Sequence, residues 1–430
     1  MSADRPPSMF KEMLARLYAY FGRQQNAPWL VASSHWIERN IMVKRRQKRC
    51  ENDFVQSGHA NEPLESYLKT HFCANPFTTL ETTHQGLAYV CCPIWLPTPI
   101  GKLDSDPDEL WKGPTAKMLR ESILDGSFRY CSRVHCPAIT DRALPSRDSA
   151  EAQKVIKAFE NDTPSPKRII LSHDKSCNLS CPSCRAMMVV ADKKRQAKLD
   201  SLIERVIVPL LRGAESTTIT GSGDAFGSNH FRNLIKRITN SGAKTEKDEF
   251  PHLKINLQTN GQLWDRRAWK ELGLAGRVEY AQISIDATRP ETYEFVRRGG
   301  TLERLIKNLE FVRELRQAGE IKNLEFSMVV QSRNFREIPE FIELGAKYAA
   351  DCVSFQMIRK RDIFSGDEYK DAFIGSPDHP DYEEFVALLR RKDLLTAPPG
   401  GPNVQLGNVL SYVRRATPDR LADTVQSAAE

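Results

Sequence analysis

From Lys167 onward, short apolar or β-branched runs alternate with longer stretches whose apolar residues recur at helical spacing. The strand-like runs are Arg168 to Ser172, Ser216 to Thr220, Lys254 to Gln258, Tyr280 to Asp286, Glu325 to Gln331 and Cys352 to Ile358. Helical patterns lie between them at Leu199 to Leu211, Phe231 to Thr239, Leu302 to Ala318 and Ile338 to Ala349. Alternation of this kind predicts βα units and a parallel sheet. Strands covered by helices on both faces are continuous apolar runs, and these are not. Ile283 and Ile285 alternate with Gln282, Ser284 and Asp286, Ile255 and Leu257 with Asn256 and Gln258, and Val353, Phe355 and Met357 with Cys352, Ser354 and Gln356. Because side chains on a strand alternate faces, the apolar set must meet the helices and the polar set a lumen that is wet or holds a polar ligand. An antiparallel sheet with one solvated face would alternate likewise, but would not carry the intervening helices.

Outside this region the pattern is weaker. Phe10, Met13, Leu14, Leu17, Tyr18 and Phe21 form one apolar helical stripe, read as docked on a core. Beyond about Ser365, breakers at Gly375-Ser-Pro377 and Ala397-Pro-Pro-Gly400 predict loosely packed extensions and a short closing helix. At 430 residues and 40% hydrophobic content the chain can bury a large core, in two or three domains. No apolar run approaches the roughly 18 residues that span a bilayer, and MSADRPPSMF lacks the layout of a secretory signal. A cytoplasmic location is expected. The net charge of +7, from 62 basic and 55 acidic side chains, demands no polyanionic partner. Lys44-Arg-Arg-Gln-Lys-Arg49 is the one basic cluster; without interleaved aromatic residues it reads as a solvated helix face rather than a contact for nucleic acid or an acidic leader peptide.

Candidate chemistry is concentrated in cysteine. Ten cysteines in a chain of the reducing cytoplasm point to metal or redox chemistry rather than disulfides. Cys177-Asn-Leu-Ser-Cys181-Pro-Ser-Cys184 places three of them at C-x3-C-x2-C spacing in one loop, just after the first strand. A closed zinc site takes four ligands, whereas a 4Fe-4S cluster on three cysteines leaves one iron open to a substrate or cofactor. A zinc knuckle or three unrelated core cysteines remains the other reading. Gly221-Ser-Gly-Asp224 follows the second strand, Thr259-Asn-Gly261 ends the third and Ser284-Ile-Asp-Ala287 closes the fourth. All fall at C-terminal strand ends, where a βα barrel carries its active site.

In that order and behind that cysteine loop, these segments resemble the radical S-adenosylmethionine (SAM) superfamily. The resemblance implies an α/β fold whose core, residues 165–362, is a partial (β/α)6 TIM-like barrel. It also implies that Cys177, Cys181 and Cys184 hold a catalytic 4Fe-4S cluster whose open iron chelates SAM. The residue before the last cysteine, often aromatic in the family, is Ser183. Gly221, Ser222, Gly223 and Asp224 match the position of the family's Gly-Gly-Glu segment, which holds the SAM amino group, with Asp224 one methylene shorter than the usual Glu. Thr259, Asn260, Gly261, Ser284 and Asp286 fall where the family lines the SAM ribose and carboxylate. Arg297-Arg-Gly-Gly300, opening the helix after the fourth strand, resembles the family's Arg-Gly segment or is a helix start with solvated arginines.

Upstream, Cys73-x12-Gly86-x4-Cys91, then Cys92, then Cys131-x4-Cys136 supply a second set. Its first half resembles the opening of the SPASM module, the auxiliary-cluster domain of radical SAM enzymes that modify peptides and some sugars. That module normally follows the barrel and has more cysteines. The resemblance implies an auxiliary domain at 66–150 with a second 4Fe-4S cluster on Cys73, Cys131, Cys136 and either Cys91 or Cys92. A zinc site uses the same ligand count. Residues 1–65 are then a helical, basic region and 363–430 an irregular C-terminal extension. Cys50 is left over, as is Cys352, which strand parity puts in the lumen as a hydrogen-atom donor or a small buried hydrophobe.

The implied activity is reductive cleavage of SAM to a 5′-deoxyadenosyl radical that takes hydrogen from a peptide or protein, the auxiliary cluster accepting the electron. Flavodoxin or ferredoxin is the implied electron donor. Dehydrogenation or epimerisation of a sugar or other small metabolite, and a non-catalytic metal-stabilised binding protein, are the competing readings. RNA modification rests only on Lys44 to Arg49.

Overall fold

The structure is a computed structural model and describes residues 62–241, 248–360, 363–391, 394, 400–409 and 412. The Phe10 to Phe21 stripe, the Lys44 to Arg49 cluster and Cys50 lie outside the described residues. The chain divides into two compact units, residues 1–169 with 204–214, and residues 170–203 with 215–430.

In the first unit, strands β1 (Thr79–Thr82), β2 (Leu87–Tyr89) and β3 (Gly101–Lys102) form an antiparallel meander. The β1–β2 hairpin closes through Gly86, whose φ of +74° suits glycine, with Thr83 N donating to Leu87 O at 2.9 Å. That turn is the physical reason for the glycine in C-x12-G-x4-C. Helix α1 (Leu64–Thr70), α2 (Pro114–Leu124) and α3 (Ala150–Asn161) pack around a core containing Tyr67, Phe72, Phe77, Ile123, Phe128 and Ile156. Buried Arg120 is held there by Pro76 O and Trp111 O, both at 2.8 Å, with its guanidinium over the Trp111 ring.

The second unit is a parallel sheet. Strands β4 (Arg168–Leu171), β5 (Ser216–Ile219), β6 (Lys254–Thr259), β7 (Val278–Ser284), β8 (Ile321–Val330) and β9 (Cys352–Met357) follow the expected order, and each pair from β5 to β9 is parallel. A further strand, β10 (Asn403–Gln405), pairs parallel with β9 at Cys352 to Ser354. The C-terminal extension expected to be irregular and loosely packed therefore adds a strand. Helices Gly366–Ala372 and Tyr382–Leu389 precede it, the first started by a Ser365–Glu368 capping box. The sequence pattern missed β10 because three residues are too few to show alternation.

Side-chain polarity decides the faces as expected. On β7, Ala281 and Ile283 are buried while Tyr280, Gln282 and Ser284 are not. Four of its helices begin at side-chain caps, with Asp192, Ser228, Asp265 and Thr301 each accepting an N–H of the first turn. Helix α4 (Leu302–Gln317) buries Leu302, Leu305, Leu309, Val312 and Leu315, the i, i+3, i+7 stripe of an amphipathic helix. The helix expected from Leu199 starts earlier, at Lys193, and passes through a π turn at Ile203–Ile207 just before Pro209, whose missing N–H interrupts the ladder. Strand β8 starts four residues early, at Ile321, because exposed Lys322 and Asn323 obscure the alternation.

Candidate active site

The loop after β4 carries the three cysteines. Cys177 N donates to Val189 O at 2.8 Å, and Cys184 N and Arg185 N both turn back onto Cys181 O, at 2.9 and 3.0 Å. With Leu179, this folds Cys177, Cys181 and Cys184 against one another. Each sulfur receives a side-chain N–H, and Cys177 a backbone one from Leu179 as well. Asn260 Nδ2 donates to Cys177 Sγ at 3.7 Å, Arg297 Nη1 to Cys181 Sγ at 3.9 Å and Arg185 Nη2 to Cys184 Sγ at 3.5 Å. Burial pushes the Cys177 thiol up to about 11, and raises Cys181 against the opposing pull of Arg297. Buried thiols that resist ionisation, supplied with cationic and amide donors, suit a positively charged iron centre that takes them as thiolates. Among the described residues no three His, Cys, Asp or Glu side chains are gathered at the spacing of a single metal ion.

Neighbouring loops lock this one in place. Asp224 N donates to Ser176 O at 2.9 Å, and Gly223 approaches so closely that a Cβ there would lie 2.5 Å from Ser176 O. Gly221 N donates to Ser172 Oγ at 3.1 Å, and Ser222 O accepts from Arg185 Nη2 at 2.6 Å. The carboxylate of Asp224, expected to meet the SAM amino group, is taken up by the chain itself. It accepts from Phe226 N, Gly227 N, Thr259 Oγ1 and Asn260 N at 2.7 to 3.0 Å, and is 1% exposed. Thr259, Asn260 and Gly261 are buried with it, with Gly261 O accepting from Asn308 Nδ2. Gly221, Ser222, Gly223 and Ser284 keep solvent-facing surface.

Arg297-Arg-Gly-Gly300 does not open a helix, and neither arginine is free in solvent. The segment links the helix Pro290–Val296 to α4. Arg297 is half-buried and pairs with Asp286 at 2.9 Å, whose carboxylate and the Cys181 sulfur hold the guanidinium charged. Asp286, at φ +69°, also accepts from Val329 N at 2.7 Å. Arg298 clamps the cysteine loop from outside, donating to Ser180 O at 3.1 Å and Ala186 O at 2.9 Å.

Lower on the polar face, Glu325 is a hub that residue patterns did not single out. It accepts from Tyr280 Oη at 2.7 Å, Gln282 Nε2 at 2.6 Å and Ser354 Oγ. Cys352 is its register partner on β9, and burial, then Glu325, pushes that thiol up to about 12. Parity located Cys352, but only register could join it to Glu325. Arg185 was also missed; its one sequence signal is adjacency to Cys184.

In the first unit the other cysteines converge. The largest electrostatic neighbours of Cys131 are Cys73, Cys91 and Cys136, and those of Cys91 include Cys73 and Cys136. Ser132 N donates to Trp95 O at 2.7 Å, tying the Cys131 turn to the one that follows Cys92. Burial raises all four thiols, Cys73 to about 11. Cys91 is buried and Cys92 is half-buried. No disulfide joins any of the nine described cysteines, and no described helix is long and apolar enough to cross a membrane.

Comparison with known proteins matches residues 171–345 to the Radical SAM superfamily. Curated relatives include GTP 3',8-cyclases of Peptoclostridium acidaminophilum, 26% identical over 39% of this chain and 48% of the relative, and of Alkaliphilus oremlandii, 30% identical over 39% and 49%. The chain thus spans about half the length of the curated relatives it matches. Among solved structures, Streptococcus suis SuiB bound to its precursor peptide SuiA is similar at 16% identity and a TM-score of 0.40, covering 71% of this chain and 65% of that one. From the three-cysteine loop on its parallel sheet and the family match over the same residues, we conclude that residues 171–345 form a Radical SAM superfamily domain.

Proposed function

We propose that the chain binds a 4Fe-4S cluster through Cys177, Cys181 and Cys184, cleaves SAM reductively, and removes hydrogen from a peptide or protein so as to oxidise or cross-link it. The observation that carries the reading is the loop in which three sulfurs, and no fourth, each receive an N–H. When bound, the cluster and SAM supply a 5′-deoxyadenosyl radical able to attack an unactivated carbon. The residues of the chain hold and orient. The solvent-facing Gly221, Ser222, Gly223 and Ser284 are the surface on which SAM is read to lie, while Asp224, Thr259, Asn260, Gly261 and Asp286 brace the wall behind it. The sheet is read as a partial (β/α)6 barrel over 165–362, and its polar face around Glu325 as the floor that positions substrate.

In the first unit we read a SPASM-like auxiliary domain with a second 4Fe-4S cluster on Cys73, Cys91, Cys131 and Cys136, accepting the electron left on the substrate. Cys91, whose electrostatic neighbours include Cys73 and Cys136, is read as the ligand and Cys92 as the spare thiol. A second reading, dehydrogenation or epimerisation of a small metabolite, is favoured by Cys352 beside Glu325, where a thiol could return a hydrogen atom. A small flavin or iron-sulfur protein such as flavodoxin or ferredoxin is the proposed electron donor.

Cys184→Ala tests the first claim. It is expected to abolish reductive formation of 5′-deoxyadenosine by anaerobically reconstituted protein, and undiminished formation overturns the reading. Solvent deuterium at one carbon of the product would mark epimerisation, and loss of two hydrogens without label would mark oxidation.

A further inference from the structure

The three side-chain N–H groups on the cysteine sulfurs come from residues that differ in charge and in freedom. Asn260 contributes a neutral amide, already tied to Asn178 Oδ1 at 2.9 Å. Arg297 is half-buried and balanced by Asp286 at 2.9 Å, so its charge is largely cancelled by that carboxylate. Arg185 is different. Its guanidinium is fixed by two backbone carbonyls, Lys175 O at 2.5 Å and Ser222 O at 2.6 Å, and reaches Cys184 Sγ at 3.5 Å, with no carboxylate on it among its described partners. Cys184, Cys177 and Cys181 are all among its electrostatic neighbours. An uncancelled cation is therefore held beside the whole three-sulfur set.

We propose that Arg185 is a positioning residue that sets the reduction potential of the cluster read onto Cys177, Cys181 and Cys184, with the amide of Asn260 and the Arg297–Asp286 pair as lesser contributors. This rests on the proposed function. One-electron reduction adds a negative charge to a centre already bearing three thiolates. A fixed cation a few ångströms away, donating a hydrogen bond to sulfur, stabilises that reduced state more than the oxidised one. Arg185 thus makes the cluster easier to reduce by a protein donor. The carbonyl anchors explain how the cation stays there, since a guanidinium can satisfy three acceptors at once.

The test is a redox titration of the anaerobic, reconstituted full chain, followed by electron paramagnetic resonance, reading the signal that changes when SAM is added. Arg185→Gln is expected to lower the equilibrium constant for reduction about tenfold, a shift of about 59 mV to more negative potential for one electron. Arg185→Lys, which keeps the charge, is expected within about threefold of wild type. A Gln variant with full iron content and an unmoved potential overturns the inference and leaves the proposed function standing. If the Gln variant does not retain iron, the Lys variant decides alone, and a tenfold loss there overturns the inference. Absence of any SAM-responsive signal in wild type instead removes the proposed function itself.

Discussion

Asp224 shows how much one buried side chain can hold together. Its two oxygens join the loop after β5 to the end of β6 through four donors, of which Phe226, Thr259 and Asn260 are buried and Gly227 half-buried. Asp224→Ala should therefore destabilise the chain by about 3 kcal/mol or more, measured by chemical denaturation, with Asp224→Asn recovering part of the loss. The sequence marked Asp224 as a site residue from its place after a strand, but could not show that its hydrogen-bonding capacity is used within the protein. Arg297 is the converse. In sequence it is either part of a recognisable segment or a solvated helix start; folded, it is a half-buried cation between Asp286 and Cys181.

The loops at the strand ends act as interlocked pieces. Gly223 is glycine because the backbone of the cysteine loop passes where a side chain would be, with Ser176 O at 2.5 Å and Asp174 O at 2.8 Å from a modest Cβ. Backbone atoms cannot rotate away, so Gly223→Ala should push the loops apart at a cost of about 1–3 kcal/mol and reduce iron bound at Cys177, Cys181 and Cys184 severalfold. Iron analysis beside far-ultraviolet circular dichroism checks this, since secondary structure should persist. The strands were legible because period-two alternation survives in β6, β7 and β9. Strand β10 and the early start of β8 were not, because short or solvent-exposed stretches leave no periodic trace.

At the level of the full chain, the two thiol sets predict a stoichiometry. Two four-iron clusters require about eight irons per chain. Cys131→Ala should reduce this to about four, whereas Cys92→Ala should leave it unchanged; zinc without sulfide in the first unit would exclude the auxiliary cluster. The same unit should be sensitive to pH through Glu81, whose burial pushes its carboxyl from 4.5 up to about 7 against the opposing pull of Arg168. The folded state holds this proton more tightly than the unfolded state, so the stability it contributes is complete below about 4.5 and lost as pH rises through 7. Glu81→Gln should be more stable than wild type by about 2 kcal/mol at alkaline pH and equal to it in acid, measured by denaturation at each pH.

Local order was written in the chain before folding. Alternating polarity specified the strands and their two faces, and the spacing of Cys177, Cys181 and Cys184 specified a three-thiolate loop, because both depend on residues a few positions apart. Contacts across long separations were decided only by tertiary structure. These are the N–H supplied to each sulfur by Asn260, Arg297 and Arg185, the enclosure of Asp224, and the meeting of Glu325 with Cys352. Such contacts depend on strand register and loop path, which no local pattern encodes.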